Sequence, residues 1–273
     1  MNQLSIPKIL RQTIATGSLL LLPWCIIGIA TRQAAANSIV TDIGTIDYNP
    51  PPPPPERDAP GNRGGGGGRG CGPNSQPITA LIPSQKRMLN GNLETETIQV
   101  WGTTLSERPT FWFDVPDERS TIQSVEFVLQ DNTDQDLYRS WIVPPETPGI
   151  VSIRLPETAP ALKPRALYHW FLNINFDCPS DASVTRQING WVQRVAPDSN
   201  LTQLLKNATP EQQAILYAKN GIWFDALTTL GDLRRSKPKE LSAIDNWNRL
   251  LQSIGLENLK TEPIVNCCTP KSF

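Results

Sequence analysis

His169 is the only histidine in the chain, and it limits the acid–base chemistry open to the protein. One histidine excludes multi-histidine metal sites and leaves any Ser–His–Asp arrangement dependent on that residue. Period-two alternation places it on the strand face turned away from the core, where it reads as a surface residue rather than a catalytic base. A carboxylate route would draw on Asp114, Asp117 and Glu118, but nothing in the sequence sets the separation that a glycosidase pair requires. Asn132, Asp134 and Asp136 repeat the first ligand spacing of a calcium loop. Leu137 stands where its glycine belongs, however, and Val143 where its bidentate glutamate belongs, so the segment reads as a polar hairpin turn. The glycine run Gly64–Gly68 lacks a following Gly-Lys-Ser/Thr and a preceding strand, so a flexible spacer is favoured over a phosphate cradle. No catalytic residue, cofactor or metal is assigned.

The cysteines depend on where the chain is delivered. Lys8 and Arg11 precede the apolar run Ile14–Ala30, and Ala34, Ala35 and Ala36 supply the small residues of a cleavage site. Residues 1–36 therefore read as a secretory signal peptide, with an uncleaved anchor as the competing reading. Cleavage removes Cys25 and leaves Cys71, Cys178, Cys267 and Cys268. An even count in an exported chain reads as two disulfides with three possible pairings. A bond between the adjacent pair would close a strained ring, so the expected scheme joins Cys267 and Cys268 each to a different one of Cys71 and Cys178. The competing scheme is Cys71–Cys178 with a free or strained terminal pair. Export also argues against zinc on these thiols.

Cleavage also takes Lys8, Arg11 and Arg32, so that 22 of the 25 basic residues remain against 26 acidic ones, a net charge of −4. Neither nucleic acid nor an anionic membrane surface is implied as a partner, and the membrane enters only through an uncleaved signal. Residues 37–76 follow as a Pro/Gly-rich tether, with the unbroken run Pro50–Pro55 stiff and extended.

The elements around His169 are strands. In Arg165–Cys178, Ala166, Tyr168, Trp170, Leu172, Ile174 and Phe176 share one face, the pattern of a strand with one side buried. Tyr168, just past Pro164, resembles the tyrosine corner of immunoglobulin-like sandwiches. Further strands are expected at Ile78–Ile82, Thr97–Trp101, Pro109–Val115, Ile122–Gln130, Leu137–Val143, Gly149–Leu155 and Gln187–Val195. Seven or eight short strands between Pro- and Gly-marked turns predict an antiparallel β-sandwich over 77–196. Trp112 faces opposite Phe111 and Phe113. Two readings follow: one side carries exposed aromatics suited to sugar or protein recognition, or, as favoured, the helices bury it.

The pattern changes at Pro197, where a helical domain over 197–259 precedes a Cys-containing tail, 260–273. Thr209-Pro210-Glu211-Gln212 is a helix start, and Asn220-Gly221 ends that helix. Tyr217, Gly221, Trp223, Ala226, Leu230, Leu233 and Pro238 resemble the second part of a tetratricopeptide repeat, at most one degenerate unit. A further helix is expected over Glu240–Ser253. The helices must pack on each other and against the sandwich.

The motifs RDAPGNRGGGGGRGC, ITALIP, PTFWFDVP, EFVLQD, PGIVSIRLP, LYHWFLNINFDC, INGWVQRV and ATPEQQAILYAKNGIWFDALTTL occur in this order. Together they resemble a secreted cyanobacterial family catalogued as domain of unknown function 928, from about Arg57 to the C-terminus. The resemblance implies export and no catalytic residues. The expected function is that of an exported, non-enzymatic binding or interaction protein, periplasmic, envelope-associated or extracellular, whose partner is a protein or an envelope glycan. An envelope-directed hydrolase using carboxylates and a structural envelope component are the alternatives.

Overall fold

In the computed structural model, which describes residues 44–54, 60–64, 76–88, 96–177 and 184–268, the alternating stretch becomes strand β8 (Leu167–Phe176). Its even-numbered residues are buried and its odd-numbered ones half-buried, as period two requires. β8 lies between β5 (Ile122–Gln130) and β9 (Val184–Arg194) in a six-stranded sheet. Beyond β5 comes β6 (Asp136–Ile142); beyond β9 come β3 (Glu96–Thr104) and then β2 (Ser84–Met88). Neighbours run antiparallel except β3 and β9, which are parallel with Trp101 opposite Trp191. A second, antiparallel sheet has β4 (Thr110–Val115) between β1 (Thr79–Ala80) and β7 (Gly149–Arg154).

Aromatic side chains join the two sheets. Trp170 lies 5.9 Å from Phe111 and 5.6 Å from Phe113 between ring centroids, and Phe127 lies 4.9 Å from Phe111. These are the tilted and edge-on geometries that ring quadrupoles favour. Every residue of β4 is buried, because helices cover its other face. These are α1 (Ser199–Asn207), α2 (Pro210–Lys219), α3 (Trp223–Ser236) and α4 (Leu241–Gln252). Thr209 and Gln212 form the expected capping box at the start of α2. Trp112 packs edge-on against Trp247 of α4 and donates to Thr228 Oγ1 of α3 at 3.1 Å. Burial under the helices thus settles the fate of Trp112. Strands and helices share one apolar cluster.

The tyrosine expected at a corner makes its bond: Lys163 N–H donates to Tyr168 Oη at 2.8 Å. Two elements were not anticipated. β2 (SQKRM) carries no apolar alternation. α1 is capped by Asp198, whose carboxylate accepts from Leu201 N–H.

The expected tether is anchored in two places. Ile46 and Tyr48 are buried, with Tyr48 edge-on to Trp223 at 4.9 Å, and Asn49 N–H donates to the Ala218 carbonyl. Pro60–Gly64 enters the gap between β3 and β9, where Gly61 N–H donates to the Ile98 carbonyl and Asn62 exchanges both backbone bonds with Asn189. A Cβ at Gly61 would stand 2.7 Å from Val100 Cβ and 2.8 Å from the Asn189 carbonyl, so glycine is required by close approach rather than by flexibility. In the tail, Ile264 bridges Ile150 in parallel, extending the small sheet beyond β7.

Candidate functional site

With one face of the six-stranded sheet committed to the core, the polar side chains of β5, β8 and β9 line up on the other. Register partners form rows across the strands. Trp141, Glu126, Asn173 and Gln187 make one row; Arg139, Val128, Phe171 and Asn189 the next; Gln130, His169 and Trp191 a third; Ser124, Asn175 and Thr185 a fourth. Side chains in a row stand close enough to bond. Arg139 donates to the carboxylates of Glu126 and Asp136. Asn173 Nδ2 donates to Glu126 Oε2 at 2.9 Å, and Gln187 Nε2 to Asn173 Oδ1 at 2.8 Å, so one hydrogen-bonded chain crosses four strands. Thr185 and Asn175 repeat this with Ser124.

Between the rows lies a depression of about 150 Å³ lined by Val128, Gln130, Arg139, Phe171, Asn173 and Gln187. A half-exposed ring therefore sits among amides and a guanidinium held by their neighbours. This arrangement suits recognition: the ring offers an apolar face, and the amides offer both donors and acceptors.

His169 belongs to this face. Its ring stacks on Trp191 with centroids 4.1 Å apart and planes 8° from parallel, and its Nε2 lies 3.0 Å from Asn189 Oδ1. Trp191 is covered, and its indole donates to the Pro60 carbonyl at 2.9 Å.

Comparison with known families matches residues 63–264 to the one described as Domain of Unknown Function (DUF928). The chain belongs to this family. No curated protein matches the sequence. The DUF928 region begins at Arg63, whose guanidinium donates to the carbonyls of Ile82 and Ile254, and ends at Ile264, which bridges β7. It thus contains both sheets and the four α-helices of the described residues.

The remaining candidates of the DUF928 chain lie elsewhere. Asp114 is on β4 in the other sheet, apart from His169. Burial, then Glu262, then Asp117 raise its carboxyl to about 6. Asp117 is buried in an ion pair with Arg186 at 3.2 Å; burial pushes its carboxyl up while the guanidinium pulls it down. Glu118 is exposed. The 132–136 segment forms the β5–β6 turn. There Asp131 Oδ1 accepts from Thr133 and Gln135, which holds that carboxyl below the usual range, and Asp134 takes a φ of 62°. No group of three His, Cys, Asp or Glu side chains among the described residues is placed to hold a metal ion.

Cys267 and Cys268 are bonded to each other, with Cα atoms 3.7 Å apart, in place of the expected bridges from each to Cys71 and Cys178. The backbone supplies the reason. Cys268 takes a φ of 80°, which brings the adjacent side chains together instead of apart. Cys71, Cys178, residues 1–36 and the glycines 65–68 lie outside the described residues.

The chain from Arg139 to Gln187 was missed in the sequence. Alternate polar residues in Ile122–Gln130 and on the odd positions of β8 were the available signal, but register across strands was not.

Proposed function

We propose that this DUF928 chain is an exported, non-enzymatic binding module of the cell envelope that holds a protein or glycan on the outer face of its six-stranded sheet. The observation that carries the reading is the set of cross-strand polar rows flanking half-exposed Phe171. Pre-bonded side chains lose little freedom when a partner arrives, which favours binding. Export is read from Lys8, Arg11, the apolar run and Ala34–Ala36.

We read the sandwich as immunoglobulin-like. Supporting this are the order β1-β4-β7 against β2-β3-β9-β8-β5-β6, the parallel β3–β9 pair and the Lys163–Tyr168 bond. The α2–α3 hairpin is read as one degenerate tetratricopeptide unit, supported by buried Ala226 and Trp223. Both modules serve interaction in many proteins, an argument from fold analogy.

The test is a pull-down from envelope extract with the mature chain and with a Phe171→Ala/Gln187→Ala variant of equal melting temperature. A partner retained by the parent and lost by the variant supports the reading; equal recovery by both, or no specific partner, overturns it. Mass spectrometry of the mature N-terminus tests export, and an N-terminus still at Met1 counts against it.

A further inference from the structure

Away from the sheet face, a cavity of about 380 Å³ opens where the β3–β4 loop meets the first turns of α3. Its size falls within the roughly 300–1,000 Å³ range of small-molecule sites. Asp225, in the first turn of α3, forms part of its wall. Asp225 Oδ2 accepts from Thr104 Oγ1 at 2.7 Å and from Leu105 N–H at 3.0 Å, so the carboxylate is held by neutral donors.

The other charged side chains around the cavity have opposite-charge partners, Asp232 serving both Arg154 and Arg235. Arg108 meets Glu157 at 3.2 Å, Arg194 meets Glu107 at 3.0 Å, and Arg154 meets Asp232 at 3.4 Å. Among the described residues, Asp225 has no cation in salt-bridge contact. Burial pushes its carboxyl up, and burial, then the nearby Asp225 charge, raises the Tyr217 hydroxyl. A carboxylate held by neutral donors and the first turn of its own helix, at a cavity wall, is complementary to a cation.

The rest of the wall narrows the chemistry. Tyr217 and Phe224 contribute aromatic surface to the wall, which suits an ammonium group or C–H groups. Thr110 Oγ1 accepts from Arg154 and Thr228 Oγ1 accepts from Trp112, which leaves each hydroxyl a proton to donate.

We propose that this cavity binds a small hydroxylated primary amine, an amino sugar in chemical class, with its ammonium group on Asp225. The site is separate from the sheet face, so either can fail without the other.

Calorimetric titration of the intact mature chain near neutral pH tests it with three probes: D-glucosamine, N-acetyl-D-glucosamine and D-glucose. D-glucosamine is expected to bind at least about tenfold more tightly than the two neutral sugars. Asp225→Asn should abolish that preference while keeping the melting temperature, since the amide oxygen still accepts from Thr104 and Leu105. Tyr217→Leu, which removes the ring, and Thr228→Ala leave those anchors intact and should weaken D-glucosamine several-fold; they serve if Asp225→Asn does not fold. Equal binding of the three probes, no saturable D-glucosamine binding, or D-glucosamine affinity unchanged in all these variants overturns the proposal.

Discussion

Gly231 of α3 lies directly against the Trp112 indole of β4: a Cβ added there would stand 2.2 Å from Cη2 and 2.4 Å from Cζ2. The ring cannot swing aside easily. Its Nε1 donates to Thr228, Trp247 meets it edge-on, and the Arg235 guanidinium covers it at 4.6 Å. Gly→Ala in a helix ordinarily gains about 1 kcal/mol. Overpacking against a fixed ring costs about 1–3 kcal/mol or more, and here it should win. Gly231→Ala is expected to lower the urea midpoint, and adding Trp112→Leu should relieve the clash. A Gly231→Ala chain at least as stable as the parent would contradict this packing.

Tyr168 is buried, and its hydroxyl accepts from Lys163 N–H across the turn into β8. Tyr168→Phe keeps the ring and removes the acceptor. Lys163 is exposed, so water can partly replace the bond. The expected loss is about 0.5–1.5 kcal/mol in denaturant unfolding. No change would mean that the corner bond is not maintained in solution.

What could be read in advance follows from range. β8 was legible because alternation is a property of neighbours along the chain, and the Thr209 capping box is likewise local. Pro60–Gly64 was read as spacer because proline and glycine composition signals flexibility. Its anchoring depends on Val100, Asn189 and Trp191, all far away in sequence. The strand face of His169 was readable, but its stacking on Trp191 needed the β8–β9 register. Asp225 stood in a helical motif with nothing to mark it. Only the return of the β3–β4 loop makes it part of a cavity wall.

Asp117 and Arg186 lie far apart in sequence yet pair at 3.2 Å, with side-chain exposures of 0% and 3%. Arg186 also covers the Phe176 ring at 4.6 Å. Asp117→Ala removes one member of a buried ion pair, which typically costs about 3–5 kcal/mol. Asp117→Leu with Arg186→Met removes both charges and is expected to be more stable than Asp117→Ala. Equal losses in the single and double variants would show that the pair is not coupled.

Asp114 gives stability a pH dependence of defined sign. Its folded carboxyl is raised from 3.8 to about 6, first by burial, then by Glu262 and Asp117. The native state therefore binds more protons than the unfolded chain between about pH 4 and about pH 6, and this contribution to stability falls as pH rises through that window. The loss is on the order of 1–3 kcal/mol. Asp114→Asn removes the group that must ionise. The variant should match the parent near pH 4 and melt at higher temperature above about pH 6. Glu262→Gln should reproduce a smaller part of the gain, because it removes only one of the charges acting on Asp114. Melting curves across this range decide the matter, and a constant offset between Asp114→Asn and the parent at every pH would rule out Asp114 as the source.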